Sequence, residues 1–277
     1  MNIQINQKSK ADIFTALFQH IKCFTEHINI MFQEDKLFIQ AMDSSRVSIF
    51  EIHIPVAWFD VYTLSSSLTL GIHAGILYKI LSTRDGGQSI HIEFSGEHGD
   101  DDRLYFHFAG ENGFAKHFEM PLIDIESEIM HIPAIEYQAE FSLPSATFAG
   151  LIQQLQLFGD TVQFECSEEK VQLCSTSVET GKMSVDIPID DLSEFSIDEG
   201  ETMNLSFSLM QLRNICQYSK IAKEIDIKLS TTFPICIRYV FDKGLVGGLA
   251  NSQEDDGDDS TSARIMFYLA PKLNNDD

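Results

Sequence analysis

Asp43-Ser44-Ser45, in the run AMDSSRVSIFEIHI from Ala41 to Ile54, sets a carboxylate beside two hydroxyls, the residue types of a nucleophile and its orienting acid. A serine nucleophile also needs a general base and a turn that lifts it out of the chain. Neither a partnered base nor a G-x-S-x-G elbow is identifiable, so the run is expected to turn the chain into a strand. Two acidic runs carry ligand types for a cation. Glu97-His98-Gly99-Asp100-Asp101-Asp102 falls between strand-like segments, where a polar turn accounts for it. Asn251 to Ser262, NSQEDDGDDSTS, lacks the spacing of a calcium-binding loop and reads as a flexible acidic loop. The nine histidines stand singly in the sequence. The five cysteines, Cys23, Cys166, Cys174, Cys216 and Cys236, form no C-x-x-C pair and lie mostly in apolar runs, as reduced buried thiols do. The expectation is a protein with no catalytic centre, no cofactor and no metal.

A chain of 277 residues suffices for one large domain or two ordinary ones, without staples. No window approaches the roughly 18 uninterrupted apolar residues of a membrane span, and the N-terminus MNIQINQKSKAD has no apolar signal core. The reading is a soluble intracellular protein with no membrane partner. Its formal charge of -23 argues against a protein that coats nucleic acid, because phosphate contacts need a basic footprint.

The distribution of that charge matters more than its sum. Four segments have apolar residues at helical spacing: Gln7 to Phe24, Ile72 to Ser82, Pro144 to Phe158 and Ser208 to Lys220. Their expected inward faces are Ile13, Phe14, Leu17, Phe18 and Ile21; Ile76, Leu77, Ile80 and Leu81; Phe148, Leu151, Ile152 and Leu155; and Leu209, Leu212 and Ile215. A proportional share of the 42 acids would put about nine in these segments, and they hold one, Asp12. Glutamate is a good helix former that surface helices normally expose freely. Negative charge has been kept off four faces.

Between the helices the period changes to two. HINIMF, KLFIQAM, VSIFEIHI, SIHIEF, RLYFHF, TVQFEC, KVQLCS, SVDIPI, EIDIKLS and ICIRYVF read as short strands joined by turns, an antiparallel α+β chain. The chain also repeats itself. FTALFQHIKCFTEHINIMFQEDKLFI, from Phe14, lies without a gap over FAGLIQQLQLFGDTVQFECSEEKVQL, from Phe148, and LTLGIHAGILYKIL lies over MNLSFSLMQLRNIC. Two similar domains are expected, residues 1–120 and 138–277, each with two helices on antiparallel sheet. The segment Pro121 to Tyr137 joins them, and the acidic run 251–262 lies in the second.

In this order along nearly the full length, AMDSSRVSIFEI, FDVY with LGIHAGILYKIL, FEMPLIDIESE, IPAIEY, LPSATFAGLIQQLQLFGDTV and FYLAPK resemble the proliferating cell nuclear antigen family of sliding clamps, found in eukaryotes, archaea and some large DNA viruses. The resemblance implies a homotrimeric ring of six domains, strands outside and helices lining a hole around duplex DNA. A clamp of this kind has no active site. It is loaded by an ATP-dependent clamp loader and tethers DNA polymerase and other replication and repair proteins, in a nucleus or a viral replication compartment. The DNA-facing residues would be Lys10, Lys22, Lys79, Arg84, Gln153, Arg213, Lys220 and Lys223; the third helix departs from the family's basic pattern with Gly150 and Gln153.

By the same resemblance, Met42, Ser44, Arg46, Val47, Met130, Ile132, Pro234, Tyr268, Ala270 and Pro271 would form an apolar groove for short partner peptides, Arg46 standing where histidine is common. Ring closure would pair Gly113 to Phe118, including Phe114, with Thr180 to Val185, including Lys182, of the next subunit. Glu168 occupies the position of a lysine that the family modifies after DNA damage. The alternatives are a subunit of a hetero-oligomeric clamp, a monomeric polymerase accessory factor, or an acidic DNA mimic that inhibits DNA-binding enzymes.

Overall fold

A computed structural model describes residues 1–95, 102–110, 113–126, 128–241 and 262–272. The first half of the chain runs β1 (Asn2–Ile5), α1 (Lys8–Ile21), β2 (His27–Phe32), β3 (Lys36–Met42), β4 (Ser48–Pro55), β5 (Val61–Thr63), β6 (Leu68–His73), α2 (Ala74–Leu81), β7 (Ser89–Glu93), β8 (Arg103–Ala109) and β9 (Lys116–Pro121). The second runs β10 (Ala139–Pro144), α3 (Ser145–Leu155), β11 (Thr161–Cys166), β12 (Lys170–Ser177), β13 (Gly181–Pro188), β14 (Glu194–Ile197), β15 (Met203–Ser208), α4 (Leu209–Ile215), β16 (Glu224–Leu229), β17 (Ile235–Val240) and β18 (Arg264–Leu269). Element for element the two halves have one order, as the internal repeat requires. The fold class is α+β, built on antiparallel sheet.

Contacts divide the chain into two compact units. The first holds Met1–Ser44, Glu51–Met130 and Phe241–Arg264; the second holds Ser45–Phe50, His131–Val240 and Ile265–Asp277. In the first, strands lie in the orders β5-β1-β7-β8-β9 and β4-β3-β2-β6; in the second, in the orders β14-β10-β16-β17-β18 and β13-β12-β11-β15. Each second-unit order is the first-unit order advanced by nine strands, so the duplication holds in topology as well as in sequence. The repeat counterpart of β9 is β18, and that of β13 is β4.

The helices form as their apolar spacing dictates. Ala11, Phe14, Leu17, Phe18 and Ile21 are buried along α1, and Phe148, Ile152 and Leu155 along α3. Three details depart from the sequence reading. Ile72 pairs with Ile28 in the β2–β6 ladder, so α2 starts two residues late, capped by His73, whose Nδ1 accepts from Gly75 N–H at 3.1 Å. Ile76, expected to face inward, is 38% exposed. The fourth helix is α-helical only to Ile215 and tightens into a 3-10 turn over Cys216–Lys220, with Tyr218 buried in place of a helical stripe.

Pro121 to Tyr137 is stitched to its surroundings at several points. In the first unit Ile123 N–H donates to Gly71 O at 2.9 Å, and Asn29 Nδ2 donates to Ile125 O at 3.1 Å. Glycine is required at position 71 by close approach: a Cβ there would lie 2.2 Å from Ile123 O and 3.1 Å from the Ile125 side chain. Gly71→Ala is expected to push this segment away and destabilise the protein by about 1–3 kcal/mol, the usual range for overpacking. Urea unfolding measures the loss, and faster exchange of the Ile123 amide locates it.

Candidate nucleic-acid and protein interfaces

The helices determine what charge their outer faces can offer. Lys22, Lys79, Gln153, Arg213, Lys220 and Lys223 are exposed, and Lys10 and Arg84 are half-buried. Two of the cations serve their own chain. Lys10 Nζ donates to Trp58 O at 2.6 Å and lies 5.5 Å from the indole centre, while Arg84 Nη1 donates to Gln88 O at 2.9 Å and its Nη2 pairs with Asp12. That last contact neutralises the one acid these helices carry. Lys22 lies over Tyr78 at 5.0 Å, and Arg213 donates to Gln156 at 3.4 Å, which leaves both charges at the surface. Lys79, Lys220 and Lys223 have no ion pair among the described residues. Neutral amides and unopposed ammonium groups can lie beside phosphates without specifying sequence.

Each unit also has a sheet edge with no partner strand among the described residues. β9 closes one end of β5-β1-β7-β8-β9, and β13 closes one end of β13-β12-β11-β15. Phe118 on β9 is half-buried, its ring 5.4 Å from that of Phe108, and Phe114 just before β9 is 89% exposed. On β13 Lys182 is exposed, Val185 half-buried and Ile187 buried. Unpaired edges with apolar residues invite a further strand. The repeat counterparts of these two edges do lie side by side in the chain. Within the second unit Ser45–Phe50, entering β4, lies beside β18: Ala270 N–H donates to Val47 O at 3.0 Å, and Phe50 lies 6.2 Å from Phe267. By the repeat, β4 and β18 are the counterparts of β13 and β9.

The residues expected to form a peptide groove divide between the units. In the second, Val47 and Ala270 are joined by that backbone bond, Arg46 and Ala270 are exposed, and Ile132, Pro234, Tyr268 and Pro271 are half-buried. Arg46 adopts φ 59°, a left-handed conformation that arginine enters less readily than histidine or asparagine. Burial first, then the neighbouring Cys236 and Tyr268, push the Tyr137 phenol well above its ordinary pKa, so this ring stays neutral against β17 and β18. In the first unit Met42 and Ser44 are exposed and Met130 half-buried. Ser44 N–H donates to Phe24 O at 2.9 Å, and Ser45 Oγ in the second unit accepts from Gln211 at 2.9 Å. Asp43-Ser44-Ser45 is therefore a hydrogen-bonded turn.

The sequence reading missed what holds Met130. The Gln40 amide clasps its backbone in both directions: Nε2 donates to Met130 O at 2.8 Å, and Oε1 accepts from Met130 N–H at 2.7 Å. The same Nε2 donates to Glu51 Oε1 at 2.9 Å. A glutamine inside the apolar run KLFIQAM, only 9% exposed, was the available signal. Burial alone would raise the Glu51 carboxyl, but hydrogen bonds from His53 and Gln40, with the charges of His53 and Arg264, outweigh it and hold it below the ordinary glutamate value. A depressed carboxyl stabilises the fold above its unfolded value, and that contribution is lost as pH falls through the folded one. Hydrogen exchange at Met130 is therefore expected to accelerate on acidification through and below the ordinary glutamate range, beyond the intrinsic change, in the native chain and not in Glu51→Gln. Gln40→Ala should cost about 1–3 kcal/mol at neutral pH, the penalty of stranded buried polar groups.

Glu97 to Asp101 and Asn251 to Thr261 lie outside the described residues. Glu168 Oε1 accepts from Gly200 N–H at 2.9 Å. No described helix is long and apolar enough to cross a membrane.

Comparison with known proteins agrees with the doubled architecture. Residues 4–129 match the proliferating cell nuclear antigen N-terminal domain, and residues 131–249 match its C-terminal domain. The proliferating cell nuclear antigen of Chaetomium thermophilum is 24% identical over 275 residues, covering 97% of each chain. The doubled strand order, the acid-poor helix faces and these matches over both halves together establish that the chain belongs to the proliferating cell nuclear antigen family of sliding clamps.

Proposed function

We propose that the protein is a homotrimeric DNA clamp that encircles duplex DNA and acts as a processivity factor. Sliding clamps of this family are non-enzymatic scaffolds. The observation that carries the proposal is the charge of the helix faces. In a chain of net charge -23, the four helices expose lysine, arginine and glutamine, and their single carboxylate is neutralised by Arg84. Carboxylates within a Debye length of about 8 Å of phosphates would repel them, so acid-free faces are what a passage for duplex DNA needs. The open β9 and β13 edges supply the joint between subunits: pairing β9 of one chain with β13 of the next repeats the β18–β4 arrangement that each chain makes internally.

In this reading the domain division stays at residues 121–137, and an ATP-dependent loader places the ring on DNA in a nucleus or viral replication compartment. DNA polymerase and other proteins dock short peptides on Met42, Ser44, Arg46, Val47, Met130, Ile132, Pro234, Tyr268, Ala270 and Pro271. Tethering acts through effective concentration: a partner held weakly by a ring that cannot leave the duplex rebinds before it diffuses away. The test is retention on nicked circular DNA after loading. The expected result is a complex that survives dilution into high salt and is released when the circle is linearised. Equal loss from circular and linear DNA would sink encirclement.

A further inference from the structure

Three of the histidines that stand singly in the sequence come together in the fold. The β7–β8 register sets His91 opposite His107, and the β8–β9 register sets His107 opposite His117. One lateral row of three imidazoles thus crosses three strands, on the face opposite the buried Ile90, Ile92, Phe106 and Phe108. At its end His107 Nδ1 and His117 Nδ1 lie 2.6 Å apart, their rings in a T-shaped arrangement at 4.8 Å. Behind them Glu93 Oε2 is 3.7 Å from His107 Nε2.

We propose that His107 and His117 form a two-imidazole site for a divalent transition-metal cation, with Glu93 orienting His107 from behind. A neutral imidazole carries one N–H and one lone pair. The Glu93 carboxylate favours the proton on His107 Nε2, which aims the Nδ1 lone pair at His117. This carboxylate–histidine arrangement is the one that recurs behind metal-ligating imidazoles. Imidazole nitrogens suit Zn2+, Cu2+ and Ni2+. Bonds of about 2.0–2.1 Å in tetrahedral geometry would hold the two nitrogens about 3.3 Å apart. The cation therefore replaces the N–H···N bridge after an opening of about 0.7 Å, which exposed His117 can supply by side-chain rotation, its proton moving to Nε2. Water completes the coordination. His91 is not counted as a ligand, because its Nε2 is engaged with Ser89 Oγ at 3.1 Å.

A second group, Glu26, His27 and His73, also gathers ligand atoms within 4.8 Å of one another. It fails on chemistry. His73 Nδ1 accepts the Gly75 N–H that caps α2, so its neutral ring keeps the proton on Nε2 and has no lone pair for a cation there.

The test is calorimetric titration of the full chain with ZnCl2 at neutral pH, in a buffer that does not bind zinc. One Zn2+ per chain is expected, weakened at least tenfold by His117→Gln and severalfold by Glu93→Gln. His27→Gln, which removes a ligand from the rejected group, should change nothing. Acidification should weaken binding in parallel, because protons compete for the same lone pairs. The His117 substitution is at an exposed position, so an unchanged thermal unfolding profile separates lost binding from lost fold. Equal zinc binding by native chain and His117→Gln, no saturable binding, or a loss caused by His27→Gln would each overturn the assignment.

Discussion

Combining Phe118→Ala with Lys182→Glu is expected to move the protein from the proposed trimer to monomer in light scattering at micromolar concentration. Strand addition between β9 and β13 would supply main-chain hydrogen bonds, with its specificity in the side chains along the two edges. Phe118 is half-buried against Phe108 in the isolated chain, and Lys182 projects from β13. Removing the ring deletes apolar contact area, and the new carboxylate joins Asp186 on a strand of an already acidic protein. A loss of about 2 kcal/mol per joint is ordinary for truncating an aromatic anchor. A ring has three joints, so dissociation to monomers is favoured by about 6 kcal/mol, on the order of 10⁴-fold in the association constant. Lys182→Glu alone, at an exposed position that contributes nothing to the core, should give a smaller shift in the same direction. A native monomer, or a double variant that remains trimeric, rules out this placement of the seam.

The second large effect concerns DNA. Lys79→Glu, Gln153→Glu and Lys220→Glu together place three carboxylates on exposed helix positions that now hold none. Binding to linear duplex at low salt is expected to fall about 10–100-fold. The dependence of log affinity on log salt should flatten by about 0.9 for each lysine that had met a phosphate. Trimer mass and thermal stability should stay as they were, since none of the three side chains is buried or ion-paired among the described residues. Acids placed instead on the exposed face of β12, at Thr176 for example, should leave the salt slope unchanged. If the helix variant bound DNA as the native protein does, the acid-poor faces would have some other cause.

The elements that sequence periodicity made visible are those with one dominant face. HINIMF, KLFIQAM and TVQFEC coincide with β2, β3 and β11 because alternating or continuous apolar residues bounded by turns leave little choice. Short strands such as β5 (VYT) and β14 (EFSI) escaped, since three or four residues cannot display a period. Ile76 was misplaced because helical spacing fixes a stripe only as well as it fixes the helix start. β6 claimed Ile72 and His73, leaving Ile76 outside the buried arc of α2. The repeat gave the architecture, because two copies of one pattern must solve the same packing problem. What could not be read was lateral register. His107 and His117 are ten residues apart in the chain, and only the β8–β9 ladder makes them neighbours. The clasp of Gln40 on Met130 spans 90 residues and left a single trace, one amide in an apolar run.

Because β18 and β4 are the repeat counterparts of β9 and β13, a circle of three chains would be fastened at six quasi-equivalent places by two kinds of closure. Three would be permanent, since both strands belong to one polypeptide. Three would be clasps between separate molecules, free to part and re-form. On the proposed assembly, a loader that passes the circle over an endless duplex would have no need to unfold anything: it would have only to spring one clasp, while the other two held the remaining chains together.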